Sequence, residues 1–339
     1  MKVSSHQSQP YAPNRETDAM TYNVYFGADL TPILTAGDFN DLLIATTAAW
    51  QQVVASDIPD RAAAIADEIA ANSPALVGLQ EVAQWSVGAT PGTTEVRYDF
   101  LEFIQNRLAE DGAHYAAVAV QPDLDATAPM LDGTNVVYAR ILDRDVMLAR
   151  TDLPASALKI SNLNSASYSN QLMFTTLLGP VTVPRSYIAA DVKVRGKSFR
   201  FITTHLETFS AAINFAQGQE LIAGPANTAL PVVAVGDYNS SANGGSDTTP
   251  TYGAMLDAGF EDAWEVLNPT TPGNTCCQAQ DLGNATSELY ERIDLVMVRG
   301  GMDPRASSVV TTEGSALPYW PSDHAGVAAT LRIPTQTPR

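Results

Sequence analysis

The sequence predicts an α/β protein in which two β-sheets pack face to face with helices on their outer sides. Short segments rich in β-branched and aromatic residues are typical of strands, and they alternate with helical segments without the regular period of a parallel doubly wound sheet. Two of these strands are separated only by the tight turn Val194-Arg195-Gly196-Lys197, which indicates an antiparallel hairpin. The chain has 339 residues, of which 45% are hydrophobic, and can therefore bury a large core.

Local patterns predict the individual elements. Ile65 and Ile69 share one helical face, and Asn72-Ser73-Pro74 ends that helix. The run ALVGLQ is short and apolar, as in a buried strand. Helices are expected at residues 38–54, 60–71 and 98–110. Strands are expected at residues 21–26, 75–80, 116–120, 134–139, 187–194, 199–204, 231–235, 293–298 and 327–333.

These elements predict a single domain. We expect a polar N-terminal arm at residues 1–20 and one domain at residues 21–335. Between the strands at 116–120 and 187–194 the pattern is less regular, so a loop-rich insertion is expected at about residues 121–184. Such excursions often lie near a functional rim.

Charge excludes one class of protein. The chain carries 19 basic and 37 acidic side chains, for a formal net charge of −18. A protein that holds nucleic acid mainly through a dense cationic face is therefore excluded, because Lys and Arg supply most of that affinity. An enzyme that anchors phosphate with a bound metal is not excluded.

Cellular location is predicted only from indirect features. No run is long and apolar enough to span a bilayer, and the first residues contain no apolar segment typical of a signal peptide. Charged residues make up 17% of the chain, which favours a secreted or periplasmic protein whose precursor has lost its signal. Cys276 and Cys277 are adjacent, and either two free thiols or a vicinal disulfide fits. Nothing in the sequence indicates an obligate protein partner.

Polar residues follow or precede several apolar strands, where a rigid scaffold presents catalytic groups at a rim. Each of them alone is equally compatible with a solvated turn, a helix cap or a surface ion pair, and their joint occurrence at strand ends favours a site. The set consists of Asn23, Glu81, His205, Asp237, Asn239, Asp294, Asp323 and His324.

The chemistry of this set indicates hydrolysis of a phosphate ester. Carboxylate and amide oxygens are ligands for Mg²⁺ or Mn²⁺, and imidazole exchanges protons with water near neutral pH. Together they predict a water activated beside a hard metal. The sequence contains no G-x-S-x-G and no G-x-x-x-x-G-K-[ST] motif, which argues against a serine hydrolase and a P-loop nucleotidase.

The chain resembles the endonuclease/exonuclease/phosphatase superfamily, which has the deoxyribonuclease I-like fold. The matching segments are TYNVYFG, LQEV, ITTHLE, VGDYNS, ERIDLV and PSDHAGV, in the order of the family and over nearly the whole chain. The resemblance implies a four-layered α/β sandwich of two mixed β-sheets flanked by helices. It also implies hydrolysis of phosphoesters with Mg²⁺ or Mn²⁺, and Ca²⁺ is the expected ion if there is a structural cation.

The resemblance also implies roles for individual residues. Glu81 would be the principal metal ligand, assisted by Asn23 and Asp323. His324, oriented by Asp294, would act on the attacking water or on the phosphate. The remaining residues would position water and phosphate (Asp237 and Asn239), or contact a phosphoryl oxygen or protonate the leaving group (His205).

A histidine at position 205 resembles the deoxyribonuclease I, sphingomyelinase and inositol-phosphate phosphatase branches more than the abasic-site endonucleases. Arg185 is either a donor to the phosphate or a surface residue. The segment TCCQAQDLGNATSELYERID is similar to that of secreted bacterial members.

The sequence leaves three functions open. The first is a phosphodiesterase or nuclease, with a phosphoester such as nucleic acid as its substrate. The second is a phosphatase or sphingomyelinase-like hydrolase of a small-molecule or lipid phosphoester, for which Leu172-Met173-Phe174 and Leu177-Leu178 are candidates for membrane contact or for core strands. The third, ranked low because no expected acid or histidine is missing, is a binding module that has lost the chemistry.

Overall fold

The computed structural model describes residues 15–244, 249–310 and 318–335. The strands are β1 (Glu16–Asn23), β2 (Leu76–Gln80), β3 (Gln84–Gly88), β4 (Glu95–Asp99), β5 (Tyr115–Asp132), β6 (Asn135–Arg150), β7 (Leu158–Ser167), β8 (Leu172–Thr176), β9 (Gly179–Val183), β10 (Ser186–Val194), β11 (Lys197–His205), β12 (Val232–Asp237), β13 (Glu261–Asp262), β14 (Asp294–Arg299), β15 (Asp303–Val310) and β16 (Gly326–Arg332). The helices are α1 (Thr31–Leu34), α2 (Phe39–Ala55), α3 (Ile58–Asn72), α4 (Phe100–Glu110), α5 (Ala211–Ala223), α6 (Thr251–Asp257) and α7 (Ala263–Leu267).

Two mixed sheets form the centre of the described structure. The first sheet has eight strands in the order β15-β16-β1-β2-β6-β3-β4, with β5 paired to β6. The second has six strands in the order β13-β14-β12-β11-β10-β7, and β8 and β9 form a separate hairpin. Most neighbours are antiparallel, but β1 and β2 are parallel and so are β11 and β12. The predicted hairpin is present, since Val194 pairs with Lys197 across the turn.

Alternation along the strands produces four layers. In β2, Val77 and Leu79 pack with helices α2, α3 and α4, whereas Leu76 faces the second sheet. In β12, Val233 and Val235 face the first sheet, and Val232 and Ala234 pack with α5 and α6. The sheets approach so closely at Gly78 that a Cβ there would overlap Thr203. The predicted four-layered sandwich of two mixed sheets flanked by helices is therefore confirmed.

Three predicted helices are present with small differences in their bounds. Asp38 caps α2 by accepting from the backbone N–H of Asp41, and Asp99 caps α4 by accepting from Leu101 and Glu102. Helix α5 was not predicted from the sequence. The buried face of α5 includes the polar Asn214 and Gln217, which interrupt the apolar pattern that would reveal an amphipathic helix.

The N-terminal boundary differs from the predicted one. Strand β1 begins at Glu16, so the last part of the expected arm belongs to the first sheet, while residues 1–14 lie outside the described residues. Its polar residues are paired with β16, from Glu16 opposite Arg332 to Thr21 opposite Val327. Thr330 also donates to the carboxylate of Asp18 at 2.6 Å. Because these partners lie at the other end of the chain, local composition does not indicate a strand.

The expected loop-rich insertion at about residues 121–184 consists mostly of strands. It contains the second half of β5 and all of β6, β7, β8 and β9. Strands β5 and β6 form one long hairpin from Tyr115 opposite Arg150 to Asp132 opposite Asn135. Many of its residues are exposed, as in β7 and β8, so the apolar alternation that predicts a half-buried strand is weak. Main-chain pairing stabilises these strands instead.

Within the described residues, no helix combines the length and the apolar character needed to cross a membrane.

Candidate active site

The two sheets bring the predicted residues to one edge of the sandwich. Asn23 ends β1 and Glu81 follows the parallel strand β2, while His205 and Asp237 end the parallel strands β11 and β12. Carboxyl ends of parallel strands lie on the same side of a sheet, which explains this arrangement. The start of the antiparallel strand β14 places Asp294 opposite Asp237.

A pocket of about 330 Å³ opens at this edge. Six predicted residues line it, namely Glu81, His205, Asp237, Asn239, Asp323 and His324. The other two, Asn23 and Asp294, lie behind it and are hydrogen-bonded to residues that line it. The structure therefore brings all predicted site residues together.

Asn23 connects two of the carboxylates. Its amide nitrogen donates to Glu81 Oε1 at 3.1 Å and to Asp237 Oδ2 at 3.0 Å. Its amide oxygen accepts from the backbone N–H of Tyr25 at 3.0 Å. The backbone N–H of Phe26 donates to Glu81 Oε2 at 3.1 Å, so both oxygens of that carboxylate are oriented. In this geometry Asn23 positions carboxylates.

Asp237 lies at the centre of the polar groups. Its Oδ1 accepts from the backbone N–H of Asn239 at 2.9 Å, and its Oδ2 lies 3.5 Å from His205 Nε2 and 3.9 Å from His324 Nε2. Burial raises the pKa of Asp237 to about 6, and the Asp294 carboxylate contributes to the increase. Asp237 Oδ2 therefore lies within 4 Å of both histidine rings.

His324 is held by an aspartate. Its Nδ1 lies 2.8 Å from Asp294 Oδ2, which leaves Nε2 facing Asp237 and the pocket. Burial alone would lower the pKa of His324, but the Asp294 carboxylate and the other nearby acids raise it well above the usual value. The pair forms a His–Asp dyad in which the ring orientation is fixed.

His205 is held by a cation instead. Its Nδ1 lies 2.9 Å from a guanidinium nitrogen of Arg185, which lines the pocket and is buried. Guanidinium groups only donate, so Nδ1 accepts and a neutral ring carries its proton on Nε2, on the side of Asp237. Burial lowers the pKa of His205 well below its usual value, and Arg185 lowers it further. Arg185 therefore lies in the wall of the site and is not a surface residue.

Two site residues have unusual backbone conformations. Glu81 has φ = 60° and Asn239 has φ = 44°, in the left-handed region that non-glycine residues seldom adopt. Glu81 directly follows β2, and Asn239 is the second residue after β12. At both positions the chain turns sharply and presents the side chain. Such conformations persist where surrounding contacts hold them and are concentrated at functional sites.

The sequence analysis did not identify Arg61, which organises the backbone around the pocket. This fully buried side chain, on α3, donates to the carbonyl oxygens of Val24 at 2.6 Å, Tyr25 at 2.7 Å and Pro321 at 2.7 Å. Burial lowers the pKa of Arg61 to about 10, so it remains charged at neutral pH. It thereby links the segments after Asn23 and before Asp323. An arginine within the apolar face of a predicted helix is the available sequence signal.

Replacing Arg61 with leucine is expected to lower the free energy of unfolding by about 3 kcal/mol, because three buried carbonyl oxygens lose a charged donor. Urea denaturation monitored by circular dichroism measures this loss. Arg107→Leu is the matched control, since Arg107 is a partly exposed helical arginine paired with Asp67 at 2.7 Å and with Asp111 at 3.2 Å. Such surface pairs contribute at most about 1 kcal/mol. Equal losses in the two variants would contradict the role given to Arg61.

Buried acids near Arg185 were also missed. Asp143 lines the pocket, and Asp123 and Asp145 lie behind it. Burial raises the pKa of Asp143 to about 7, and the pKa values of Asp123 and Asp145 are raised well above the usual range for the same reason. Asp145 Oδ1 lies 4.0 Å from His205 Nδ1. The run LDRDVML, with charges inside an apolar strand, is the signal that was overlooked.

Cys276 and Cys277 lie in the wall of the same pocket. They are joined as a vicinal disulfide, one of the two alternatives left open by the sequence. The backbone of Cys276 forms isolated β-bridges with Glu291 and His324. The segment after α7 is thus attached to the chain that carries the catalytic candidates Asp323 and His324.

The donor chemistry of the pocket fits a hard divalent cation. Donor atoms of Asp237, Asp294 and His324 lie within 4.8 Å of one another. Burial raises the pKa of Asp323 to about 6; the nearby His324 opposes this increase, and the Glu81 carboxylate adds to it. Several buried carboxylates with one neighbouring histidine dyad therefore match the oxygen ligands preferred by Mg²⁺ or Mn²⁺. A structural Ca²⁺ stays a prediction.

The sequence matches one protein family over most of its length. Residues 20–324 match the model of the Endonuclease/Exonuclease/phosphatase family. The chain belongs to this family. The match covers most of the chain and includes every predicted site residue, so the resemblance of the sequence motifs is confirmed. No curated protein matches the chain.

Several solved structures share this fold at low sequence identity. D. rerio TDP2 complexed with a single-strand DNA product is 16% identical, with a TM-score of 0.56 and coverage of 94% of this chain and 100% of that one. A Bacteroides thetaiotaomicron endonuclease/exonuclease/phosphatase family protein is 18% identical, with a TM-score of 0.57 and coverage of 96% and 100%. A mannosyl-6-phosphatase from the same bacterium is 17% identical, with a TM-score of 0.54 and coverage of 94% and 100%.

Proposed function

We propose that the protein is a divalent-metal-dependent phosphoester hydrolase whose active site is the pocket at the common edge of the two sheets. The observation that carries this proposal is the convergence of the predicted acids, amides and histidines around that pocket. Membership of the family supports the reaction class. The alternative of a binding module without chemistry is less well supported, because the site residues are both present and mutually oriented.

Glu81 and Asp323 are the proposed principal ligands for Mg²⁺ or Mn²⁺, with Asn23 as a further ligand if its amide oxygen turns toward the cation. A bound divalent cation would neutralise the carboxylates and polarise a phosphoryl oxygen. The hydrogen bonds of Asn23 and Phe26 hold the Glu81 carboxylate in one orientation, so its geometry is prepared before a substrate binds.

His324 is the proposed proton-exchanging group for the attacking water. Because Asp294 holds Nδ1, the proton moves at Nε2, which faces Asp237 and the pocket. Asp237 and Asn239 would orient water and phosphate, since Asp237 lies between the two histidines and Asn239 lines the same wall. In this dyad Asp294 orients the His324 ring and provides the negative charge that stabilises a proton on it.

His205 is proposed to donate a hydrogen bond from Nε2 to a phosphoryl oxygen. Arg185 occupies Nδ1 and keeps the ring neutral, which makes donation better supported than the alternative of a protonated ring acting on the leaving group. The guanidinium of Arg185 also supplies positive charge at the pocket wall, where it would attract a phosphate.

Two substrate classes have specific support. The pocket lining includes one Lys or Arg among its described residues, Arg185, which favours a compact phosphoester over a long polyanion that needs many cationic contacts. The nuclease alternative is supported by the similar fold of TDP2, which was crystallised with a DNA product. Hydrolysis rates of p-nitrophenyl phosphate, bis-p-nitrophenyl phosphate, sphingomyelin, RNA and plasmid DNA under one metal condition distinguish these classes.

Chelation with EDTA is expected to abolish hydrolysis of bis-p-nitrophenyl phosphate, and excess Mg²⁺ or Mn²⁺ is expected to restore it. The reason is that the buried carboxylates would otherwise repel the anionic substrate. Release of p-nitrophenol measures both steps, and circular dichroism checks that the chelated protein stays folded. Full activity in rigorously metal-free buffer would contradict the proposal.

The cellular location and the binding partner are part of the proposal. We propose a secreted or periplasmic protein on the basis of its low content of charged residues and its similarity to secreted bacterial sequences. A phosphoester substrate is the proposed partner, and no obligate protein partner is required by the site.

A further inference from the structure

A second cavity adjoins the proposed active site. It has a volume of about 380 Å³, within the usual range for ligand-binding pockets. Leu30, Leu34 and Leu124 line both this cavity and the catalytic pocket, so the two cavities lie side by side and share these three side chains. We call the second cavity the apolar groove.

The lining of the apolar groove is largely aliphatic. Leu124, Ile141 and Trp85 line it and belong to the main hydrophobic core. Its opposite side is formed by Leu177, Leu178 and neighbouring residues of the β8–β9 hairpin. A pre-formed aliphatic depression of this kind binds apolar groups, because it removes their surface from water without needing to rearrange.

Charge in the apolar groove is already compensated. Among its described lining residues Asp125 is the charged one, and Arg140 holds both carboxylate oxygens at 2.7 Å. The groove therefore offers no uncompensated cation for a second phosphate or for a nucleic-acid backbone. Its chemistry differs sharply from that of the acidic catalytic pocket beside it.

The turn of the β8–β9 hairpin exposes two leucine side chains to solvent. Leu177 is 46% exposed and Leu178 is 57% exposed, and both face the groove at the turn between β8 and β9. Exposed apolar residues that border a depression next to an active site are typical of ligand-binding surfaces. Because the groove shares three lining side chains with the catalytic pocket, one molecule can reach both, and the occupant of the groove is then part of the molecule that is hydrolysed.

We infer that the apolar groove binds an alkyl chain of the phosphoester substrate while its phosphate occupies the catalytic pocket. The inference rests on the proposed function and narrows its substrate class to phosphoesters that carry an aliphatic arm. The groove does not itself perform chemistry. It contributes binding energy in proportion to the apolar surface that the arm buries.

The test is a series of n-alkyl phosphates from methyl to octyl phosphate, each below its critical micelle concentration, titrated into the Mg²⁺-loaded protein by calorimetry. The dissociation constant is expected to fall about fourfold for each methylene that the groove buries, and at least ~100-fold over the series if about half of the seven added methylenes are buried. A dissociation constant that stays constant along the series would overturn the inference.

Leu177→Asp is the diagnostic variant and Leu163→Asp is its matched control, since both leucines are 46% exposed but Leu163 lies on β7, outside both cavities. Leu177→Asp is expected to weaken octyl phosphate binding at least ~10-fold, and Leu163→Asp less than ~2-fold. Equal effects would overturn the inference. Hydrolysis of p-nitrophenyl phosphate and bis-p-nitrophenyl phosphate separates the two proposals: if neither is hydrolysed both proposals are overturned, whereas hydrolysis of either one together with a flat alkyl series overturns only the groove.

Discussion

Replacing His324 with alanine is expected to lower kcat for bis-p-nitrophenyl phosphate by at least ~100-fold, because the variant loses the group that exchanges a proton with the attacking water. His324 Nδ1 is held 2.8 Å from Asp294 Oδ2, so no neighbouring side chain replaces the oriented Nε2. Initial rates at saturating substrate measure kcat, and thermal denaturation verifies that the variant is folded.

His114→Ala is the matched control, because His114 is exposed and does not line the pocket. It should retain the wild-type rate. Asp294→Asn keeps the size of the side chain but weakens the orientation of His324, and we expect a smaller decrease of about 10- to 100-fold. A His324→Ala variant with near wild-type kcat would show that another group moves the proton.

Replacing Asp237 with alanine is also expected to lower kcat by at least ~100-fold. The Asp237 carboxylate accepts a hydrogen bond from Asn23 at 3.0 Å and lies 3.5 Å from His205 Nε2. Its loss therefore removes the group that lies between a proposed metal ligand and the histidines. The same rate measurement applies.

Because Asp237 is buried, Asp237→Asn provides a variant of equal volume that removes the charge without leaving a cavity. Both variants should be impaired while the urea midpoint of Asp237→Asn stays close to that of the wild type. Asp132→Ala, at an exposed position in β5, is the matched control and should be fully active. Wild-type activity in Asp237→Asn would exclude a role for the carboxylate charge.

Much of the two central sheets was predictable because many of their strands are short apolar runs. The run ALVGLQ, for example, corresponds to β2 with both faces buried. Most strands within residues 121–184 were not predicted, because they are exposed and are stabilised by main-chain pairing. Such pairing does not require a distinctive composition. The start of β1 at Glu16 was missed for a related reason, since its partner strand lies about 300 residues away.

Site residues at strand ends were predictable because a polar residue directly after an apolar run is a local signal. Arg61, Asp143 and Asp145 were missed because they lie within elements, where a charged residue is ordinarily read as exposed. Their burial depends on carbonyls and charges contributed by distant segments, such as Pro321 opposite Arg61.

Residue types and their order along the chain were enough to establish the family, the layered α/β architecture and the set of groups suited to phosphoester chemistry. The protonation and orientation of those groups arise only when the chain folds. His205 and His324 are the same residue type, yet the pKa of one is lowered and that of the other is raised. The difference arises because tertiary packing places Arg185 against the first ring and Asp294 against the second, and electrostatic energies depend on distances between atoms that lie far apart in sequence.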